Sequence, residues 1–157
     1  MNMKSVFVLD VDGVLTDGTF AYTTEGKVAK YFGADDSDAL RYLRNHLEIV
    51  AVSADSLGFE ISRRRVVDDM NIPLHLVSAH ERAAWVEREF SDYFTIYMGD
   101  GFSDSEVFEV VDLAIAPSNA LEHTKRAADF VTSRAGGQRA VAEACIYILK
   151  EVFKIDI

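Results

Sequence analysis

The chain has 157 residues with an apolar fraction of 49% and a charged fraction of 27%, values that are ordinary for one globular domain. Its formal net charge of −10 argues against nucleic acid as a partner, because that affinity depends on clustered Lys and Arg. The chain has one cysteine, Cys145, so it cannot form an internal disulfide. No apolar stretch approaches the roughly 18 residues of a membrane span. We therefore expect a cytoplasmic protein with a single domain over residues 1–157 and no membrane contact.

Strand-like and helix-like segments alternate along the chain. The first is the apolar run Val6–Leu9, whose β-branched and aromatic residues predict a buried strand. Residues 19–32 alternate around Glu25-Gly26 and predict a β-hairpin, and Ser78–Glu81 has the capping-box pattern of a helix start. The other predicted strands are 49–52, 74–77, 95–98, 113–117 and 130–132, and the predicted helices are 37–46, 60–70, 78–90, a segment through 107–110, 120–127 and 138–153.

This alternation predicts an α/β fold: a Rossmann-like three-layer sandwich whose central sheet is mostly parallel, with helices on both faces and a small β-hairpin flap. Between Gly18 and Ser53, and between Ser53 and Asp100, no insertion is long enough to form a cap domain. We therefore expect a site that is open on one subunit. Because catalysis gains from the exclusion of water, a neighbouring subunit is expected to cover it.

Two acidic turns follow two of the predicted strands. Asp10 and Asp12 come directly after the first strand, and Asp100 and Asp104 follow the strand at 95–98. Loops at the carboxyl ends of parallel strands converge on one crevice of an open sheet, so we expect these carboxylates to share a small volume. Such a cluster of oxygen ligands suits Mg²⁺.

The chain resembles the haloacid dehalogenase superfamily of phosphohydrolases, whose first signature is Asp-x-Asp-Gly and whose last is an acidic Gly-Asp turn. Within it, three stretches look like the small capless branch that contains 3-deoxy-octulosonate 8-phosphate phosphatase and nine-carbon acid-sugar phosphatases. The stretches are residues 10–18, 31–36 and 135–141. The similarity spans essentially the whole chain.

The resemblance implies a Mg²⁺-dependent phosphatase that releases phosphate from a sugar phosphate or an acid-sugar phosphate. Asp10 would be the nucleophile that becomes an aspartyl-phosphate, and Asp12 would be the general acid and base. Ser53 would donate to a phosphate oxygen, although it could instead cap the segment that follows it. The implied metal ligands are Asp10, Asp12 and Asp100, with Asp104 beside them, and the implied substrate-binding residues are Thr16, Ser53 and Ala54.

Three departures from the family pattern qualify this expectation. The family has a Lys that contacts the nucleophile, yet no Lys occurs between Lys30 and Lys125. Arg82 is the basic residue nearest to the position in the sequence where the family has this Lys. Arg82 could supply the charge or could be an ordinary exposed helix residue. Asp55 and Asp35 stand where the family usually has Arg, so a carboxylate-bearing substrate should bind less well, and we favour a neutral sugar phosphate.

Assembly and activity leave further alternatives open. In the branch that the chain resembles, tetramers close the site, which here implies a homotetramer in which residues 19–30 and 135–139 approach adjacent sites. The Gly136-Gly137 segment could equally be a loop that starts the last helix. The chain could also be a catalytically weak or silent assembly module, or a receiver-type signalling domain, although receivers need a late Lys after a strand and Lys125 lies in a predicted helix.

Overall fold

The computed structural model describes residues 3–157, which form a six-stranded sheet and a separate two-stranded sheet. In the larger sheet, every pair of neighbouring strands is parallel. The strands are β1 Lys4–Asp10, β2 Thr16–Thr23, β3 Gly26–Phe32, β4 Glu48–Ser53, β5 Leu74–Leu76, β6 Tyr93–Met98, β7 Leu113–Ala116 and β8 Phe130–Val131. The order across the larger sheet is β5-β4-β1-β6-β7-β8, which places β1 next to β6.

Helices cover both faces of this sheet. They are α1 Asp36–Leu43, α2 Phe59–Arg63, α3 Arg82–Glu89, α4 Asp104–Phe108, α5 Glu122–Ala127 and α6 Ala140–Glu151. A wider helical turn, Arg64–Asp69, continues α2.

The alternation of β1 explains the three layers. Phe7 and Leu9 point to one face, where they pack with residues of α1, α6 and the turn after α2. Val6 and Val8 point to the other face and pack with residues of α3 and α4. Because both faces are buried, β1 is apolar at every position from 6 to 9, as is usual for a central parallel strand. The predicted Rossmann-like fold is confirmed.

The hairpin flap is also confirmed, with β2 and β3 paired antiparallel. It begins at Thr16, three residues before the predicted start, because the chain leaves the turn after β1 directly into β2. In residues 3–157 no further module is inserted that could act as a cap, and none of the helices there is both long and apolar enough to span a membrane.

Several helix boundaries differ from the sequence-based expectation, and the structure gives a physical reason for two of the helix starts. The last helix begins at Ala140 instead of Gln138, because Gly137 and Arg139 have φ values of 69° and 75°, in the left-handed region that interrupts a helix. The prediction of a capping box at Ser78 is wrong. The hydroxyl of Ser78 donates to the Glu81 carboxylate at 2.7 Å and makes no capping hydrogen bond to a backbone amide. A short 3₁₀ turn, Ala79–Glu81, precedes α3 instead.

Candidate active site

Asp10 is the last residue of β1 and lies at the carboxyl edge of the sheet, directly before a turn. Thr16 fixes this turn, since its hydroxyl accepts hydrogen bonds from the amides of Gly13 at 3.0 Å and Gly18 at 3.1 Å. Gly13 has a φ of 86°, and a Cβ there would overlap the carboxylate of Asp100. Glycine at position 13 is therefore what allows the second acidic loop to approach the first.

Three carboxylates meet at this edge. Oxygens of Asp10, Asp100 and Asp104 all lie within 4.8 Å of one another. Burial raises the pKa of Asp10 well above its usual range; Arg82 lowers it, while Asp104 and Asp100 raise it further. Burial and the Asp104 charge likewise raise the pKa of Asp100 to about 7.

The chemistry of this cluster fits a hard divalent cation. Like charges this close disfavour one another's ionised forms, and a cation among them would remove that penalty. The donors are carboxylate oxygens, the ligands that Mg²⁺ prefers over nitrogen or sulfur. The geometry thus provides a candidate metal site beside Asp10.

Arg82 reaches this cluster from the start of α3. Its Nη1 lies 3.3 Å from Oδ1 of Asp10 and 3.5 Å from Oδ1 of Asp104. It also donates to the Tyr97 hydroxyl at 3.1 Å and, through Nη2, to the carbonyl of Val77 at 3.3 Å. Burial lowers the pKa of Arg82, but Tyr97 and the two carboxylates raise it overall, so the guanidinium stays charged. Arg82 is only 4% exposed, which contradicts the alternative of an ordinary surface residue.

Asp12 lies on the other side of Asp10 and contacts a lysine of the hairpin. Nζ of Lys30 is 2.9 Å from Oδ1 of Asp12 and 3.2 Å from Oδ2. The same ammonium donates to the Ser62 hydroxyl at 2.7 Å. The hydroxyl of Ser53 donates to Oδ2 of Asp12 at 3.3 Å. Two side chains from separate elements therefore fix the orientation of Asp12.

The carboxylates open into a cleft of about 410 Å³. Part of its wall is apolar and comes from the hairpin and from loops at the ends of strands. The residues that line the cleft are Asp10, Asp12, Phe20, Lys27, Ala54, Asp55, Ala79, Arg82, Gly101, Phe102, Ser103 and Asp104.

The structure places the predicted site residues in different surroundings. Ala54 lines the cleft, as a substrate-binding residue should. Ser53 is fully buried; its hydroxyl contacts Asp12 and accepts from the amide of Asp55 at 3.1 Å. Thr16 is also fully buried and does not line the cleft, so its placement does not support the predicted contact with substrate. Its hydroxyl serves the turn after β1 instead.

Lys30 and Tyr97 are site residues that sequence reasoning missed. Tyr97 sits in the apolar run of β6, where it looks like a core residue, yet its hydroxyl donates to Oδ1 of Asp104 at 2.6 Å. Lys30 lies on the hairpin, outside the stretch in which a lysine was expected. The available signal was a lysine pair, Lys27 and Lys30, on a strand that follows the acidic turn.

The Gly136-Gly137 segment packs on its own chain. The amide of Gly137 donates to the carbonyl of Val14 at 3.2 Å, and that of Gly136 donates to the Asn119 side chain at 2.7 Å. Asn119 in turn donates to the carbonyl of Gly13 at 3.0 Å. The segment forms the loop that leads into α6, and this loop supports the turn that carries Asp12. Its approach to the site of an adjacent subunit stays a prediction.

Comparison with known proteins agrees with this geometry. The haloacid dehalogenase-like hydrolase family matches residues 87–144. The 3-deoxy-D-manno-octulosonate 8-phosphate phosphatase of Haemophilus influenzae is 31% identical over 154 residues, covering 95% of this chain and 84% of that protein. The corresponding Escherichia coli (strain K12) protein is 29% identical over 161 residues, covering 96% of this chain and 82% of the relative.

Solved structures show the same fold. The cobalt-bound deoxy-D-mannose-octulosonate 8-phosphate phosphatase from Haemophilus influenzae superposes with a TM-score of 0.81 at 28% identity, covering 94% of this chain and 88% of that one. The Moraxella catarrhalis 3-deoxy-D-manno-octulosonate 8-phosphate phosphatase, in complex with magnesium, phosphate and KDO, has a TM-score of 0.81 at 26% identity and covers 94% and 87%. On this evidence the chain belongs to the haloacid dehalogenase-like phosphatases, in the family of the 3-deoxy-D-manno-octulosonate 8-phosphate phosphatases.

Proposed function

We propose that this protein is a Mg²⁺-dependent phosphomonoesterase that releases phosphate from a sugar phosphate or an acid-sugar phosphate through an aspartyl-phosphate at Asp10. The observation that carries the proposal is the buried carboxylate of Asp10, which lies beside Arg82 and within the cluster formed with Asp100 and Asp104. The relatives named above are phosphatases, which supports the same reaction class.

The reaction divides between Asp10 and Asp12. An oxygen of Asp10 attacks phosphorus, the bond between phosphorus and the ester oxygen breaks, and Asp12 gives its proton to the departing alcohol. Asp12 then takes a proton from a water molecule that attacks the phosphorus of the aspartyl-phosphate. Phosphate leaves and the Asp10 carboxylate is restored. The contacts from Lys30 and Ser53 hold Asp12 for both proton transfers.

Charge on the transferring group is offset by Arg82 and the metal. Mg²⁺ would be held by the side chains of Asp10 and Asp100 and the backbone carbonyl of Asp12, with Asp104 beside it to orient a water. When bound, the ion neutralises charge on the phosphoryl oxygens. Arg82 supplies a fixed positive charge next to Asp10, in the role that the family gives to a lysine. Ala54 is assigned to the substrate side, because it lines the cleft. Ser53 and Thr16 are fully buried, so Ser53 is assigned to the support of Asp12 and Thr16 to the support of the turn.

We further propose one domain over residues 1–157, a homotetramer, and a cytoplasmic location, where phosphorylated sugars are retained by their charge. Support for assembly comes from the hairpin, which carries exposed aromatic side chains: Phe20, Tyr22 and Tyr31 are 39%, 60% and 56% exposed. Two-stranded hairpins are marginally stable alone, so a neighbouring subunit is a reasonable partner for this surface.

A phosphate-release screen tests the function. The protein is assayed against phosphorylated sugars, acid-sugar phosphates and para-nitrophenyl phosphate, with Mg²⁺ and with Mg²⁺ removed by a chelator. We expect Mg²⁺-dependent release from at least one sugar phosphate. If no substrate is hydrolysed at any Mg²⁺ concentration, the proposal is wrong and the silent assembly module becomes the better description.

A further inference from the structure

Asp55 binds both lysines of the hairpin at the mouth of the cleft. Its Oδ2 accepts from Nζ of Lys27 at 2.6 Å and lies 2.9 Å from Nζ of Lys30. Its Oδ1 accepts from the amide of Gly58 at 3.1 Å. A Cβ at position 58 would overlap the carboxylate of Asp55 and the side chains of both lysines, so glycine there permits the close contact. Both oxygens of Asp55 are therefore occupied by the protein itself.

Lys27 is shielded as well as paired. Its Nζ lies 3.6 Å from the centre of the Phe20 ring, and its side chain is only 6% exposed. Burial raises the pKa of Asp55, but the hydrogen bonds from Lys27 and Lys30 lower it to about 2, so the Asp55 carboxylate stays ionised at neutral pH. Lys27, the lysine that lines the cleft, is thus compensated before any substrate arrives.

The other cations of the site are also compensated, and Lys30, whose side chain is fully buried, does not line the cleft. Lys30 contacts Asp12 as well as Asp55, and Arg82 contacts Asp10 and Asp104. Among the residues that the structure describes, these two and Lys27 lie among five carboxylates: Asp10, Asp12, Asp55 and Asp104 line the cleft, and Asp100 lies beside Asp10 and Asp104. One bound divalent cation would balance the two negative charges by which the carboxylates exceed these cations. The phosphate of the substrate would then be the group that the cation attracts. A carboxylate elsewhere on the substrate would find no free partner there.

Apart from Ser103 and the backbone at Gly101, the rest of the wall is apolar. Phe20 and Phe102 lie on the lining, and Phe102 is 78% exposed, while Ala54 and Ala79 complete this part of the surface. Aromatic faces and methyl groups suit the C–H faces of a sugar ring and offer nothing to a second anion.

We infer that this cleft selects phosphate esters of uncharged sugars over those of acid sugars, and that Asp55 is the residue that sets this preference by neutralising Lys27 and Lys30. The inference rests on the proposed phosphatase function and names the substrate class of the same site. Asp55 acts through the two lysines and is not in contact with the reacting atoms, so it is a specificity residue and not a catalytic one.

Comparing kcat/KM for substrates with and without a carboxylate tests the preference. The probes are glucose 6-phosphate against 6-phosphogluconate, together with 3-deoxy-D-manno-octulosonate 8-phosphate and, as a general reporter of hydrolysis, para-nitrophenyl phosphate. We expect kcat/KM to be at least about tenfold higher for the uncharged sugar, because two like charges in one poorly screened cleft repel. A preference for the acid sugars overturns the inference. If not even para-nitrophenyl phosphate is hydrolysed, the proposed function fails and not the preference alone.

Two variants with opposite charge changes test the assignment to Asp55. Asp55→Asn keeps the shape and frees the lysines, so the preference for the uncharged sugar should fall about tenfold, mainly through a lower KM for the acid sugar. Lys27→Gln leaves Asp55 with one lysine and should increase the preference. Asp38→Asn, whose exposed carboxylate on α1 pairs with Arg41, changes the net charge equally and should leave the preference unchanged. If Asp55→Asn does not fold, the Lys27→Gln result decides, and an unchanged preference there overturns the role of the cluster.

Discussion

Arg82 connects Asp10 to the rest of the site. It is buried, it contacts Asp10 and Asp104, and Tyr97 holds its guanidinium from the side of the sheet. A planar guanidinium reaches several partners at once, whereas a lysine presents a compact charge to fewer. In this chain, therefore, the positive charge beside Asp10 comes from a group that also contacts the second acidic loop through Asp104.

Replacing Arg82 should separate the effect of charge from that of shape. Arg82→Ala removes a fixed charge next to the transferring group, and we expect kcat to fall roughly 10²- to 10³-fold. It also leaves buried carboxylates unpaired, so the melting temperature should drop. Arg82→Lys should keep much of the activity. Arg88→Ala, an exposed position of the same helix, is the control. Full activity in Arg82→Ala would assign the charge to another residue, with Lys30 the first candidate.

Asp36 is a second buried carboxylate, and it lies away from the cleft lining. It is 2% exposed; Oδ1 accepts from the amide of Ala142 at 2.9 Å, while Oδ2 has no hydrogen-bond partner among residues 3–157. Burial raises its pKa to about 6, against the effect of that amide. The native state therefore holds this proton at a pH where the unfolded chain, with a pKa near ~4, has already released it.

The consequence is a loss of stability as pH rises. Between about pH 4 and about pH 6 the folded protein binds more protons than the unfolded chain at this group, so its contribution to the free energy of unfolding decreases by on the order of 2 kcal/mol. Asp36→Asn should remove this decrease while keeping the oxygen that accepts from Ala142. Urea denaturation across that pH range, with Asp38→Asn as control, measures it. Identical pH profiles for the parent and Asp36→Asn would contradict the account.

At the scale of elements, the sequence predicted which carboxylates lie at the ends of strands better than it predicted which side chains of different elements contact one another. Asp10 and Asp100 stand directly after apolar runs, so strand alternation and sheet geometry bring them together without further information. Lys30 meets Asp12 only because the hairpin folds back over the turn, and no local pattern specifies that path. The sequence predicts Tyr97 to be a core residue because its ring is buried in the core, and only its hydroxyl reaches the site.

The loop before α6 acts as a support for the acidic turn. A Cβ at Gly136 would overlap the backbone carbonyls of Gly13 and Thr16, which cannot move without shifting the turn. Gly136→Ala should therefore lower the free energy of unfolding by about 1–3 kcal/mol and reduce kcat as well. Gln138→Ala, an exposed neighbour in the same loop, is the matched control. Thermal unfolding together with phosphate release checks both effects, and a Gly136→Ala enzyme with normal stability would contradict the packing of this loop.

At the scale of the molecule, the proposed assembly rests on the open cleft and the exposed hairpin. Light scattering should give a mass about four times the 17.5 kDa of one chain. Tyr22→Ser, on the exposed side of the hairpin, should weaken the assembly, whereas Tyr42→Ser, on the exposed side of α1, should not. A monomer with full activity would show that the site does not need a neighbouring subunit.

The central claim is that Asp10 is the nucleophile of a Mg²⁺-dependent phosphatase, and one variant tests it most directly. Asp10→Asn keeps the size of the side chain but removes the charge that attacks phosphorus. Phosphate release with Mg²⁺ is measured for the parent and for Asp10→Asn, on the best substrate of the screen, with circular dichroism to confirm that the variant is folded. The account predicts that turnover is abolished in a folded protein. Undiminished phosphate release from Asp10→Asn would contradict it.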